Sequence, residues 1–119
     1  MKKELEEMFC KSDIYIRFMN LSLFIERESL PTEEDWKKLN EQFGFFYPTF
    51  LVKLKNERLS VIRFRLCLLL CMGFRTKEIR HLLGLKSLQQ VSNTKRAINK
   101  VVFADDCATS LTQHLKEML

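Results

Sequence analysis

The sequence predicts an all-α domain, a helical bundle of about six helices. Three observations predict it. Apolar residues recur three and four positions apart along nearly the whole chain, and no run alternates as a half-buried strand would. Only three Gly and two Pro occur in 119 residues, which provides for few hairpin turns. Hydrophobic residues make up 46% and Phe occurs ten times, enough for one core in a single domain of this length.

From Lys3 to about Glu28 the spacing predicts helix, with an interruption near Ser12-Asp13. Leu5, Met8 and Phe9 begin an apolar stripe that Ile16, Met19 and Leu23, then Phe18, Leu21 and Ile25, widen. "SLPTEEDW" is a helix start: Thr32 caps, Asp35 stands third, and the acids Glu33, Glu34 and Asp35 fill the positive first turn. Trp36, Leu39 and Phe43 follow at helical spacing, and Gly44 is the expected stop. In "FFYPTF", Pro48 suits the first turn of a short helix to about Lys55, and Phe43, Phe45, Phe46, Tyr47 and Phe50 read as core. Ser60 caps a helix from Val61 to about Met72. Its apolar residues go nearly all round, which makes it the central helix, and Gly73 ends it.

A pair of charged helices follows. Thr76 is the expected cap of "KEIRHLL", which buries Ile79, Leu82 and Leu83, exposes Lys77, Arg80 and His81, and stops at Gly84. Ser87 caps the next helix, about 87–102, with Gln90 placed to complete a capping box. Val91, Ile98 and Val102, with the stems of Thr94 and Lys95, face inward; Gln89, Ser92, Asn93, Arg96 and Lys100 face outward.

Net charge is +5, but it is unevenly spread. Residues 1–59 carry ten basic and eleven acidic side chains, whereas residues 60–104 carry nine basic and one acidic. Such asymmetry favours a polyanionic partner on one face. Two short helices joined by a Gly-bearing turn are the helix-turn-helix arrangement, and double-stranded DNA is the partner that suits it. Gln and Asn pair in two places with adenine and Arg with guanine, so Gln89, Asn93 and Arg96 are the base-reading candidates. Arg75, Thr76, Lys77, Lys86, Ser87, Lys95 and Lys100 are the phosphate-contacting candidates. A solvated basic face, or a helical interaction module whose basic face docks an acidic protein, are the other readings open at this point.

The stretch "LSVIRFRLCLLLCMGFRTKEIRHLLGLKSLQQVSNTKRAINKVVF" resembles the LuxR/GerE-type helix-turn-helix and the related region four of sigma factors. The likeness is carried by Leu59-Ser60, Lys77-Glu78-Ile79, Leu83-Gly84-Leu85, and Val91 with Ile98. Over nearly its full length, through "SDIY", "TEEDW", "FYPTF", "RLCLLLCMGF" and "VSNTKRAINKVVF", the chain is similar to the cytoplasmic C-terminal domain of membrane-anchored tetratricopeptide-repeat bacterial transcription regulators. That resemblance implies a sequence-specific DNA-binding output domain, with a sensor region upstream of Met1. The last helix either packs back on the domain or forms a homodimer seam, which the resemblance makes possible, and the wide apolar face of the first helix is a second candidate for that seam. Two departures stand out. Arg80 occupies a position where the motif carries a small residue, and the turn before Val91 is one residue longer than in ordinary LuxR-type members.

The organisation expected is one domain: an N-terminal helical module (1–58), the DNA-binding core (59–104) and a C-terminal helix (105–119), with Leu111, Leu115 and Met118 on one side. The longest apolar run, Leu66 to Phe74, falls far short of the roughly 20 residues of a membrane span, and the N-terminus lacks a signal-peptide pattern. A cytoplasmic location follows as the expectation. Cys67 and Cys71 stand at i, i+4, a spacing metals can use, but no His or acid in that helix completes a site; with Cys10 and Cys107, remote in sequence, they read as buried thiols. His81 and His114, read as solvated or partly packed, have no nucleophile or paired carboxylates beside them, and no glycine-rich phosphate loop exists. No catalytic site, metal, cofactor or small-molecule substrate is expected.

Overall fold

Helix begins at the N-terminus and is soon interrupted. In the computed structural model, which describes residues 2–23, 30–104 and 110–119, α1 (Lys2–Cys10) and α2 (Asp13–Leu23) are separated by Lys11 and Ser12. Ser12 makes the break. Its hydroxyl donates to the Phe9 carbonyl (2.7 Å) and accepts from the Tyr15 N–H (3.4 Å), closing one helix and capping the next. Phe9, Ile14, Phe18 and Leu21 point into the core, whereas Met8, Ile16 and Leu23 are exposed. Ile25, the expected helix end near Glu28, and Cys107 lie outside the described residues.

α3 (Glu33–Phe46) starts as its sequence requires. Thr32 Oγ1 accepts from the Asp35 N–H (3.2 Å), and Asp35 Oδ2 accepts from the Thr32 N–H (2.9 Å). The helix does not stop at Gly44; it runs on to Phe46. A Cβ at Gly44 would meet Leu51 Cδ2 at 3.3 Å, so this glycine lets the next helix approach closely. Pro48 sets the boundary instead, because the residue before a proline is pushed out of helical conformation, and Tyr47 sits at φ −135°, ψ 61°. α4 (Pro48–Asn56) follows with Pro48 in its first turn. Phe43 and Phe50 are core residues as expected, but Phe45 is 74% exposed.

Ser60 caps α5 (Val61–Cys71) by accepting from the Arg63 N–H at 3.3 Å. Five consecutive residues, Leu66 to Leu70, are at most 2% exposed. Burial on every side means neighbours on every side, and α5 packs against α6, α7 and α8. Only its first turn departs from the expected all-round burial, since Val61 and Ile62 face solvent. Gly73, at φ 91°, ends it: the Phe74 N–H reaches back to the Leu69 carbonyl (3.2 Å) and the Gly73 N–H to that of Leu70 (3.0 Å).

α6 (Thr76–Leu82), α7 (Leu88–Phe103) and α8 (Leu111–Met118) complete the chain. Eight helices and no strand are thus present among the described residues, against about six expected. One apolar core runs from Phe9 to Leu115. The Cα radius of gyration, 13.7 Å, is that of a single packed body of this length. Leu111 and Leu115 are fully buried, so α8 spends its apolar side on α5 and α7. Two contacts tie α8 to α7: Asn99 Nδ2 donates to Ser110 Oγ (2.8 Å), and the rings of Phe103 and His114 stack at 4.7 Å. Cys67 is buried, Cys10 and Cys71 are half-buried, and all three are free thiols. Burial pushes the Cys67 thiol up to about 12. Among the described residues no helix is long and apolar enough to cross a membrane.

Candidate nucleic-acid interface

α6 opens one residue earlier than its sequence indicates. Arg75 holds the cap position, and its N–H donates to Glu78 Oε1 at 2.8 Å, which places Thr76 inside the first turn. Glu78, the single acid between residues 60 and 104, is thereby bound to the backbone. The helix ends at Gly84 (φ 67°), where the Leu85 N–H reaches the Arg80 carbonyl (2.9 Å) and the Gly84 N–H that of His81 (3.0 Å). These are the two reversed bonds of a glycine-terminated helix.

Arg80, the residue that fits the motif badly, is half-buried, and its guanidinium donates to the Leu85 carbonyl at 3.3 Å. It braces the turn from the side. His81 corrects the expectation that it faces solvent: it is 8% exposed. α6 packs against α2 and α5 as well as α7, so more of its surface is covered than a single partner helix would cover.

Ser87 caps α7 as its sequence requires, accepting from the Gln90 N–H at 3.2 Å. Gln90 Oε1 reaches one residue further back than a capping box would, to the Lys86 N–H (2.7 Å), and so stiffens the turn. Val91 and Ile98 are fully buried in the same core as Ile79 and Leu82. Asn99, which the spacing did not single out, is buried beside them. An amide deep on an apolar face is not visible from periodicity, because its partner Ser110 arrives from another helix.

The outward face of α7 is one line. Gln89, Asn93, Arg96 and Lys100 are all exposed and stand at i, i+4, i+7 and i+11, spanning about 16 Å along the helix. Gln89 Nε2 donates to Asn93 Oδ1 at 2.9 Å. The pair then presents the carbonyl oxygen and one remaining N–H of Gln89, with both N–H groups of Asn93. Leu88, which the spacing did not single out, is 51% exposed beside Gln89.

The seven phosphate candidates divide into two groups. Arg75, Lys77, Lys86 and Lys100 are exposed, while Thr76, Ser87 and Lys95 are half-buried. Lys95 Nζ donates to Thr76 Oγ1 at 3.1 Å, so these two bind each other across the α6–α7 junction. Partial burial lowers the Lys95 pKa from its ordinary value. Ser87 has its hydroxyl in the cap. Among the described residues the salt bridges are Arg17–Asp35 and Arg65–Glu33, so none of the four exposed cations is paired with an acid. No protein-family model, curated protein or solved structure matches this chain.

Proposed function

We propose that the chain is a sequence-specific DNA-binding domain, the output module of a bacterial transcription regulator, with α6 and α7 acting as a helix-turn-helix. One observation carries the reading: the exposed line of Gln89, Asn93, Arg96 and Lys100 on α7, flanked by the acid-free cations Arg75, Lys77 and Lys86. In this reading α7 enters the major groove. Asn93 and Gln89 read adenine, Arg96 reads guanine, and the surrounding Lys and Arg bind phosphates. Lys95 and Thr76 then set the angle between α6 and α7 instead of touching DNA. Counterion release supplies the sequence-independent part of the affinity.

The resemblance of residues 59–103 to LuxR-type regulators supports the same function. The bond from Arg80 to the Leu85 carbonyl supports a rigid turn despite the departure at that position. A dimer, if formed, would use a surface other than the buried Leu111 and Leu115; exposed Met8, Ile16 and Leu23 on α1 and α2 are available. The test is titration of random and selection-enriched duplexes at several salt concentrations. Saturable binding is expected, tighter to the enriched pool and weakening steeply with salt. Absence of binding to any duplex at low salt removes the reading, and binding to an acidic protein in its place would favour the interaction-module alternative.

A further inference from the structure

The first turn of α7 is open to solvent, with Leu88, Gln89 and Gln90 consecutive and all exposed. Helical side chains lean toward the N-terminus of their helix, so these three project at and past its tip. A helix-turn-helix brings that tip of its second helix to the base edges. The three side chains offer different chemistry there. Gln90 Oε1 accepts from the Lys86 N–H at 2.7 Å and serves the turn. Gln89 Nε2 donates to Asn93 Oδ1 at 2.9 Å, which holds its amide and leaves its carbonyl oxygen and one N–H outward. Leu88 is 51% exposed and brings only apolar atoms.

A single exposed leucine is ordinary on a protein surface. Leu88 is set apart by its place. As the first residue of α7 it is neither the cap, which is Ser87, nor the residue before the cap that can staple a helix start, which is Lys86. Its chain neighbours Lys86, Gln89 and Gln90 are polar and exposed. Among the described residues the other exposed large apolar side chain on α7 is Val101, thirteen residues on and about 20 Å away along the axis. Leu88 therefore belongs to no apolar stripe on this helix of the kind that docks a protein partner. In the major groove, donors and acceptors fill the base edges apart from one methyl group, on thymine C5.

We propose that Leu88 is a specificity-determining residue that packs on the C5-methyl group of a thymine within one base pair of the adenine read by Gln89. The inference rests on the proposed function and adds to it a base selected without a hydrogen bond. Gln89 matches the donor and acceptor of adenine, and Leu88 beside it removes the thymine methyl from water. Every other natural base lacks that methyl, so the contact is lost on any substitution of the thymine.

The test takes a duplex from the enriched pool and replaces each thymine in turn by deoxyuridine, which deletes the methyl group and keeps the hydrogen-bonding groups. One replacement, within one base pair of the adenine at which Gln89→Ala relaxes preference, should weaken binding about fourfold, as loss of one buried methyl does. In Leu88→Ala the same replacement should have no effect. Leu88→Met keeps an apolar side chain of similar size and should retain the effect. Each comparison sets two duplexes against one protein, so a change in stability cannot imitate the result, and Leu88 is exposed enough that both variants should melt with the parent. Tight binding of the enriched duplex with no sensitive thymine, a sensitive thymine remote from that adenine, or a methyl effect that persists in Leu88→Ala would each overturn the role of Leu88 and leave the DNA-binding reading standing. Absence of binding to any duplex would overturn both.

Discussion

Asp35 joins two helices through one carboxylate. It is 5% exposed, accepts from Arg17 Nε at 2.6 Å and from the Thr32 N–H at 2.9 Å, and so ties α2 to the start of α3. Burial alone would raise its pKa; the bonds from Arg17 and Thr32 outweigh burial and hold the carboxyl below the ordinary carboxylate value. A depressed pKa stabilises the fold fully above the unfolded-state value of about 3.9, and that stability is lost as pH falls through the lower folded value. Asp35→Asn should therefore cost about 1–2 kcal/mol at pH 7 in urea unfolding. The gap to the parent should start to narrow below about pH 4, where the unfolded carboxyl takes up its proton, and close only below the lower pKa of the native carboxyl. Ala104 makes the opposite case. It ends α7 in left-handed conformation, at φ 53°, with its N–H on the Asn99 carbonyl. A Cβ there costs about 1–2 kcal/mol, partly offset by the greater freedom of an unfolded glycine chain. Ala104→Gly should raise stability by about 0.5–1 kcal/mol in thermal melts.

At the scale of the element, α7 keeps its two faces apart in chemistry. Its inner face is held by Val91, Ile98 and Asn99, and its outer line carries Gln89, Asn93, Arg96 and Lys100. On the proposed function, Asn93→Ala and Arg96→Ala should each relax preference at one base pair by about 1–3 kcal/mol, measured by selection from a random duplex library. Lys77→Ala should weaken binding to all duplexes about equally. If the three variants behave alike, the separation of readers from anchors is wrong. How far each element was legible follows from the range of the interactions that define it. The caps at Thr32, Ser60 and Ser87 stand where the sequence puts them, because the bond closes within three residues. Gly44 was misread because its role depends on Leu51 of the next helix, not on the helix that contains it. His81 was misread because helices distant in the chain pack on α6 and cover a face that α6 alone would leave open.

For the whole molecule, stability is centred on α5 and the proposed affinity on the opposite chemistry of the α6–α7 surface. Leu69 is fully buried in the middle of α5. Leu69→Ala should cost about 3–5 kcal/mol in urea unfolding, the upper part of the range for a leucine that its surroundings cannot collapse upon. It should abolish duplex binding only as far as it unfolds the domain. Salt dependence tests the charge arrangement as a unit. Arg75, Lys77, Lys86 and Lys100 are the four phosphate candidates left exposed. Neutralising about four phosphates gives a slope near −3.6 for log K against log salt on duplex DNA. A slope near −4.5, with Lys95 as a fifth cation, would mean that Lys95 leaves Thr76 on binding.

By itself the sequence determined the all-α class, the helix starts at Thr32, Ser60 and Ser87, the glycine-ended turns at Gly73 and Gly84, and the confinement of positive charge to residues 60–104. Each of these rests on bonds that close within about five residues, or on composition, and so needs no distant neighbour. Only the tertiary structure decided that Lys95 binds Thr76, that His81 is covered, and that Arg80 braces the turn. These depend on which helices pack side by side and at what separation, and a periodic pattern records that a face is apolar without recording what covers it.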